Sequence, residues 1–96
     1  MTGMIKTFRD KETESLFARQ AVRKFPVTLL KVAWRKLAIL DAAGSLDDLR
    51  VPPGNRLEKL WGERAGQHSI RINDQWRICF QWRAGNAYEV EITDYH

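Results

Sequence analysis

Residues 67–82 read Gln67-His68-Ser69-Ile70-Arg71-Ile72-Asn73-Asp74-Gln75-Trp76-Arg77-Ile78-Cys79-Phe80-Gln81-Trp82. Apolar and polar side chains alternate from Gln67 to Asn73 and again from Trp76 to Trp82, with the polar break Asn73-Asp74-Gln75 between them. A period of two marks a strand with one packed face, and so short a break marks a hairpin. Trp76, Ile78, Phe80 and Trp82 take the packed face, so Arg71, Arg77 and Gln81 are sent to the open one. Two guanidiniums on one sheet face suit a phosphodiester.

Outward from this hairpin, strands are expected at Leu57 to Leu60 and Tyr88 to Thr93, joined through Gly62-Glu63-Arg64-Ala65-Gly66 and Ala84-Gly85-Asn86. These connectors are short enough for antiparallel neighbours. Upstream the period turns helical. Asp10 is placed to cap a first helix whose apolar stripe, Leu16, Phe17, Ala21 and Val22, runs to Arg23 or Lys24. Pro26 fits the first turn of a second helix, in which Leu30, Trp34, Leu37 and Leu40 recur at helical spacing before Gly44 stops it. Trp34 is expected to face the sheet. Met4 to Phe8 reads as a short strand, preceded by Met1-Thr2-Gly3 as an alternative start; Leu46 to Arg50 reads as a turn or helical fragment, and Val51 to Asn55 as a loop. The whole is an α+β fold: an N-terminal strand, two helices, then an antiparallel meander of about four strands packed against the helices. Residues 1–96 form one domain in this reading.

Composition bounds the function. Hydrophobic residues at 44% and charged residues at 29% are those of a folded globular chain. No apolar run approaches the roughly 20 residues of a spanning helix, and the N-terminus lacks the apolar core of a secretory signal, so a cytosolic protein without membrane contact is expected. Cys79 is the only cysteine and lies between Ile78 and Phe80, where a small buried or half-buried hydrophobe is expected rather than a nucleophile or metal ligand. There is no phosphate-binding glycine loop, no Cys or His pair at metal-ligand spacing and no Gly-x-Ser-x-Gly turn, so no cofactor is called for.

The net charge of +4 sits entirely in residues 1–50, which hold ten of the 16 Lys and Arg against six of the 12 acids. Arg19, Arg23, Lys24, Lys31, Arg35 and Lys36 follow one another without an intervening acid. Such a run either presents a positive field to a polyanion or is a solvated helix face. On the strands, Arg77 is a candidate for holding phosphate oxygens and stabilising a pentavalent transition state; the alternative is a cross-strand salt bridge to Glu89 or Glu91. Arg71 carries the same pair of readings. His68 falls in line with Ile70 and Ile72, which favours a packed, hydrogen-bonded imidazole over a catalytic one. Glu58 and Lys59 bring a carboxylate and an ammonium to the start of the meander, either for the same cleft or as charges guarding an edge strand. Tyr95 and His96 follow the last strand directly, so either the sheet delivers His96 to the open face or the pair is a disordered tail.

From Gly62 to Phe80, and again in Glu91-Ile92-Thr93-Asp94-Tyr95-His96, the chain closely resembles HigB toxins of the RelE superfamily, once called plasmid maintenance killer proteins, and the likeness extends over nearly the whole chain from Met4, including Asn55-Arg56-Leu57-Glu58-Lys59-Leu60. The resemblance implies a type II toxin-antitoxin toxin that enters the ribosomal A site and cuts messenger RNA. It also implies restraint by a helix-turn-helix, HigA-type antitoxin, through which alone it would meet operator DNA. By this resemblance Arg77 matches the arginine that contacts the scissile phosphate, Tyr95 and His96 match the terminal pair that orients or protonates RNA groups, and Asp94 matches its acidic neighbour. Some HigB toxins carry a His at the position of Glu58 and a Lys at that of Trp61, whereas other members of the superfamily use a glutamate base.

The chemistry so implied is metal-free transesterification. Glu58 serves as base, Arg77 with Arg71 or Arg64 as phosphate holders, His96 as acid or orienting group and Tyr95 as a stacking or orienting group, with Lys59 and Asp94 beside the RNA and the basic helices on ribosomal RNA. Two other classes stay open at this stage: an RNA- or ribosome-binding module that blocks translation or assembly by occupancy, and a chain acting mainly within an antitoxin complex on operator DNA.

Overall fold

The computed structural model describes residues 3–94; Met1, Thr2, Tyr95 and His96 lie outside the described residues. The first helix, α1 (Lys11–Phe17), begins where Asp10 Oδ2 accepts the Thr13 N–H at 3.1 Å. It does not continue to Arg23. Arg19 adopts φ 59°, its N–H reaching the Leu16 carbonyl and the Gln20 N–H the Ser15 carbonyl. This double reverse bond closes a helix at a left-handed residue, a place usually taken by glycine.

Pro26 is the N-cap of α2 (Val27–Ala42) rather than a residue of its first turn. The buried stripe of α2 is Leu29, Ala33, Leu37 and Leu40, one residue away from the expected Leu30 and Trp34 in its first half. Trp34 faces α1 instead of the sheet: it stacks on Phe17 at 6.4 Å and its Nε1–H donates to the Phe17 carbonyl at 3.1 Å. Burying an indole beside a helix end satisfies its one donor, which the sheet's apolar face would leave unpaired. Two 3₁₀ turns follow, Leu46–Arg50, closed by a Ser45–Asp48 capping box, and Pro53–Asn55.

Four strands form one antiparallel meander in the order β1 (Glu58–Lys59), β2 (Gln67–Arg71), β3 (Trp76–Arg83) and β4 (Asn86–Asp94). The expected strands are present with shifted ends, and β1 is cut to two residues. Ile70, Ile78, Phe80, Val90 and Ile92 meet the α2 stripe in the core. The N-terminal segment is not a full strand. It touches β4 in parallel at Ile5–Ala87 and Phe8–Val90, and between these points the Glu89 N–H goes to the Thr7 hydroxyl at 2.8 Å rather than to a main-chain carbonyl. A bulge causes this: Phe80 faces both Glu89 and Val90 between the pairs Cys79–Glu91 and Gln81–Tyr88, and Glu89 has φ 52°. Thr13 ties α1 to the same strand, its hydroxyl accepting the Ile92 N–H at 3.0 Å.

Phe80 is wholly buried beneath the helices. Its replacement by alanine should destabilise the fold by about 3–5 kcal/mol in urea denaturation; an unchanged midpoint would mean that the strand phase, and with it the face carrying Arg77, is reversed.

Candidate functional site

The face of the sheet turned away from the helices carries Glu58, Ser69, Arg71, Arg77, Cys79, Glu91 and Thr93, since Glu58 pairs with Ser69, Ser69 with Cys79, Arg71 with Arg77 and Arg77 with Thr93. Alternation along β2 and β3 puts them there. Arg77 holds the centre. Its Nε–H donates to Ser69 Oγ at 2.8 Å, its Nη2 donates to the Arg56 carbonyl at 2.6 Å, and Nη2 lies 3.3 Å from Glu58 Oε1. Arg56 can present that carbonyl because its backbone is left-handed, with φ 44°.

Arg77 is on the expected face yet is not exposed: its side chain keeps only 9% of its accessibility, against 55% for Glu58. Its removal would strip hydrogen bonds from a buried network as well as a functional charge, contrary to the expectation of a solvent-facing group. Among the described residues the acid paired with it is Glu58 rather than Glu89 or Glu91. Glu91 belongs to Arg64, whose Nη1 lies 2.7 Å from Oε1 and also donates to Gln67 Oε1 at 3.1 Å, and to Arg9 at 3.6 Å. Arg71 pairs with Asp74 in the following turn, and with side-chain exposures of 32% and 99% that pair is open to water and to exchange with another anion.

Lys59 does not join this group. Neighbours on a strand point to opposite faces, so Lys59 pairs with His68 on the helix side and its Nζ lies 5.0 Å from the Trp61 ring centre. Asp94 pairs with Trp76, two residues on from Ile92 and therefore in the helix-side phase, and accepts from Gln75 Nε2 at 3.1 Å. Tyr95 and His96 lie outside the described residues. Ser69 and the Arg56 carbonyl were missed in the sequence; Ser69 had a signal, because it shares the phase of Arg71 on the strand paired with Arg77.

The basic run is split among several places. Arg19 lies over the Trp34 ring at 3.9 Å, and with Lys31 and Arg35 it rims a groove of about 450 Å³ between α1 and α2, floored by Leu16, Leu30 and Trp34. Arg23 and Lys24 are exposed in the loop before α2, Lys24 lying 5.7 Å from the Phe25 ring centre. Lys36 leaves the ridge and donates to Asn55 Oδ1 at 2.6 Å.

Cys79 is fully buried, and burial pushes its thiol above the usual range. His68 is packed, stacked near Phe80 at 6.3 Å, but its buried Nδ1 has no hydrogen-bond partner among the described residues. Among those residues no group of three or more His, Cys, Asp or Glu is arranged to hold a metal ion, and no helix is long and apolar enough to cross a membrane.

Two helices laid on a four-stranded antiparallel meander, with arginines and a carboxylate gathered on the uncovered face, define an α+β arrangement of the RelE-like kind. The model of the HigB-like toxin family, the RelE-like toxin of type II toxin-antitoxin system HigB, matches residues 6–96, and the chain belongs to that family. It is similar to Toxin HigB-1 of Vibrio cholerae serotype O1, with 45% identity over 90 residues covering 93% of this chain and 95% of that one. It is also similar to Endoribonuclease HigB of Proteus vulgaris, with 32% identity over 93 residues covering 97% and 100%. As a toxin of a type II system, it has an antitoxin for a partner.

Burial, then the charge of Lys59, lowers the pKa of His68 below its ordinary 6.5. A folded-state pKa below the unfolded one means that unfolding takes up a proton, so this contribution to stability is complete above about pH 6.5 and is lost as the pH falls through the folded value. Denaturation midpoints followed from about pH 8 to about pH 5 should fall with acid in the natural chain and fall less steeply in His68→Gln; equal slopes would remove His68 as the cause.

Proposed function

We propose that this chain is a ribosome-dependent endoribonuclease that cuts messenger RNA in the ribosomal A site, using side chains alone. The observation that carries this reading is the 3.3 Å approach of Arg77 to Glu58 on the open face, a guanidinium already fixed beside a carboxylate. In the reaction, Glu58 takes the proton of the RNA 2′-OH, and the oxygen attacks the adjacent phosphorus. The bond to the 5′ oxygen breaks, leaving a 2′,3′-cyclic phosphate, and the departing oxygen receives a proton. By family resemblance His96 supplies that proton and Tyr95 orients or stacks on the RNA.

Arg77 would stabilise the charge that builds on the phosphorane, and its tethers to Ser69 and the Arg56 carbonyl mean that little reorganisation is needed at that moment. Arg71 exchanges its exposed Asp74 partner for a phosphate. Arg64, held by Glu91, borders the site. The exposed cations of the helical layer, Arg23, Lys24, Lys31 and Arg35, hold ribosomal RNA, separating positioning contacts from the reacting groups. Residues 1–96 act as one domain in the cytoplasm, and the antitoxin is of the helix-turn-helix HigA type, which carries the complex to operator DNA. The name of the Proteus vulgaris relative, an endoribonuclease, supports the reaction class.

Single-turnover cleavage on programmed ribosomes tests the reading. Glu58→Gln keeps shape and removes the proton acceptor, so the rate should drop about 100- to 10,000-fold. A rate within a few-fold of the natural chain would sink the glutamate base, and ribosome binding without any RNA product would replace cleavage by occupancy. Reversal of Lys31 and Arg35 to Glu should weaken ribosome binding and flatten its salt dependence by roughly 0.7–0.9 in log–log slope for each phosphate no longer neutralised; an unchanged slope would make the ridge a solvated face only.

A further inference from the structure

Lys36 stands apart from the cations that precede it in the chain. At 3.6 residues per turn it is rotated about 100° from Arg35 and about 140° from Lys31, which takes it off the exposed ridge and toward the Pro53–Asn55 turn. There its ammonium meets Asn55 Oδ1 at 2.6 Å. Asn55 is fully buried, and its Nδ2 donates to the carbonyls of Leu49 and Val51, each at 3.2 Å. That pair of bonds settles the amide's orientation, since a flipped oxygen would face two carbonyl oxygens. The Asn55 oxygen is therefore committed to Lys36.

The next carbonyl along the chain, that of Arg56, is the one that binds Arg77 Nη2 at 2.6 Å. Adjacent residues, Asn55 and Arg56, thus fix one cation from the helix layer and one from the sheet, and Arg71 faces Arg77 across the β2–β3 pair. Burial, then the charges of Arg35 and Arg71, lowers the basicity of Lys36, as expected where cations are brought together. A neutral donor would satisfy Asn55 equally well. Lys36 and Arg71 raise one another's positive field, and among the described residues the acids paired with Arg71 and Arg77, Asp74 and Glu58, are both largely exposed, an arrangement that favours the arrival of a polyanion.

We propose that Lys36, held in place by Asn55, contacts the substrate RNA, binding a phosphate that flanks the scissile one, and does not belong to the ribosome-binding ridge. This assignment rests on the endoribonuclease reading above. Arg77 and Arg71 would hold the reacting phosphate while Lys36 fixes the register of the strand next to it, so the benefit lies in alignment for attack by the 2′-OH.

The test uses purified full-length toxin on programmed ribosomes and measures ribosome affinity separately from the single-turnover rate at saturating toxin. Lys36→Ala and Lys36→Gln should each slow cleavage about 10- to 100-fold, the reduction expected for one charge-assisted hydrogen bond, with ribosome affinity unchanged. Lys36→Gln keeps a donor for Asn55 and should melt like the natural chain, and Lys36→Arg should recover most of the rate. A Lys36→Gln rate equal to that of the natural chain would overturn the proposal by showing that the lysine serves only to tie α2 to the turn. So would a loss confined to ribosome affinity, which would return Lys36 to the ridge. A natural chain that cuts no RNA would remove the endoribonuclease reading and this assignment together, whereas an active natural chain with an equally active Lys36→Gln variant removes the assignment alone.

Discussion

The guanidinium of Arg77 is the group around which the uncovered face is organised. A charge with 9% side-chain exposure is costly to hold there, and among the described residues its donors meet Ser69, the Arg56 carbonyl and the Glu58 carboxylate. Each partner constrains a different part of the chain. Ser69 depends on the β2–β3 register, the Arg56 carbonyl on a left-handed residue after the Pro53–Asn55 turn, and Glu58 on the two-residue strand β1. The network therefore links loop, edge and centre of the sheet, and it explains why a strained backbone position and a very short strand occur side by side.

The core has a separate task, which is to hold that face still. Leu29, Ala33, Leu37 and Leu40 of α2 press on Ile70, Ile78 and Phe80, directly behind the strands that carry Ser69 and Arg77. The small Ala33 in the middle of the stripe is fully buried and lets the helix approach the sheet closely. On the far edge, Thr7, Thr13 and Asp41 bind the N-terminal segment, α1 and α2 to one another and to β4 through short side-chain-to-backbone bonds, Asp41 Oδ1 accepting the Ile5 N–H at 3.0 Å. Hydrogen bonds of this kind position elements whose burial supplies most of the stability.

The helical layer shows how a run of like charges in sequence can serve several ends in space. Arg19 is held over an indole, Lys31 and Arg35 stand at the rim of a groove, Arg23 and Lys24 reach water from a loop, and Lys36 turns toward Asn55. A positive field at long range requires only their sum. Contact with particular phosphates requires their individual directions, and those differ by the angular step of the helix and by where α1 stops.

The period-two stretches at 67–82 by themselves determined the hairpin, the strand phases and the side of the sheet on which Arg71 and Arg77 lie, because alternation is a property of neighbours along the chain. Asp10 marked the start of α1 and Pro26 the start of α2 for the same reason, and the residues from Gly62 to Phe80 carried the family. What the sequence did not disclose depends on partners distant in the chain. The end of α1 at Arg19 has no glycine to announce it and is stabilised by Trp34, the shift of the α2 stripe to Leu29 and Ala33 follows from helix packing, and the burial of Arg77 requires Ser69 and Arg56 to arrive from other elements. The opposite directions of Glu58 and Lys59 were legible from alternation, whereas the pairing of Lys36 with Asn55 was not, since a turn and a helix flank meet only after the core has closed between them. Local spacing thus decided which residues face which side, and only tertiary packing, which sets distances across the chain, decided which of them touch.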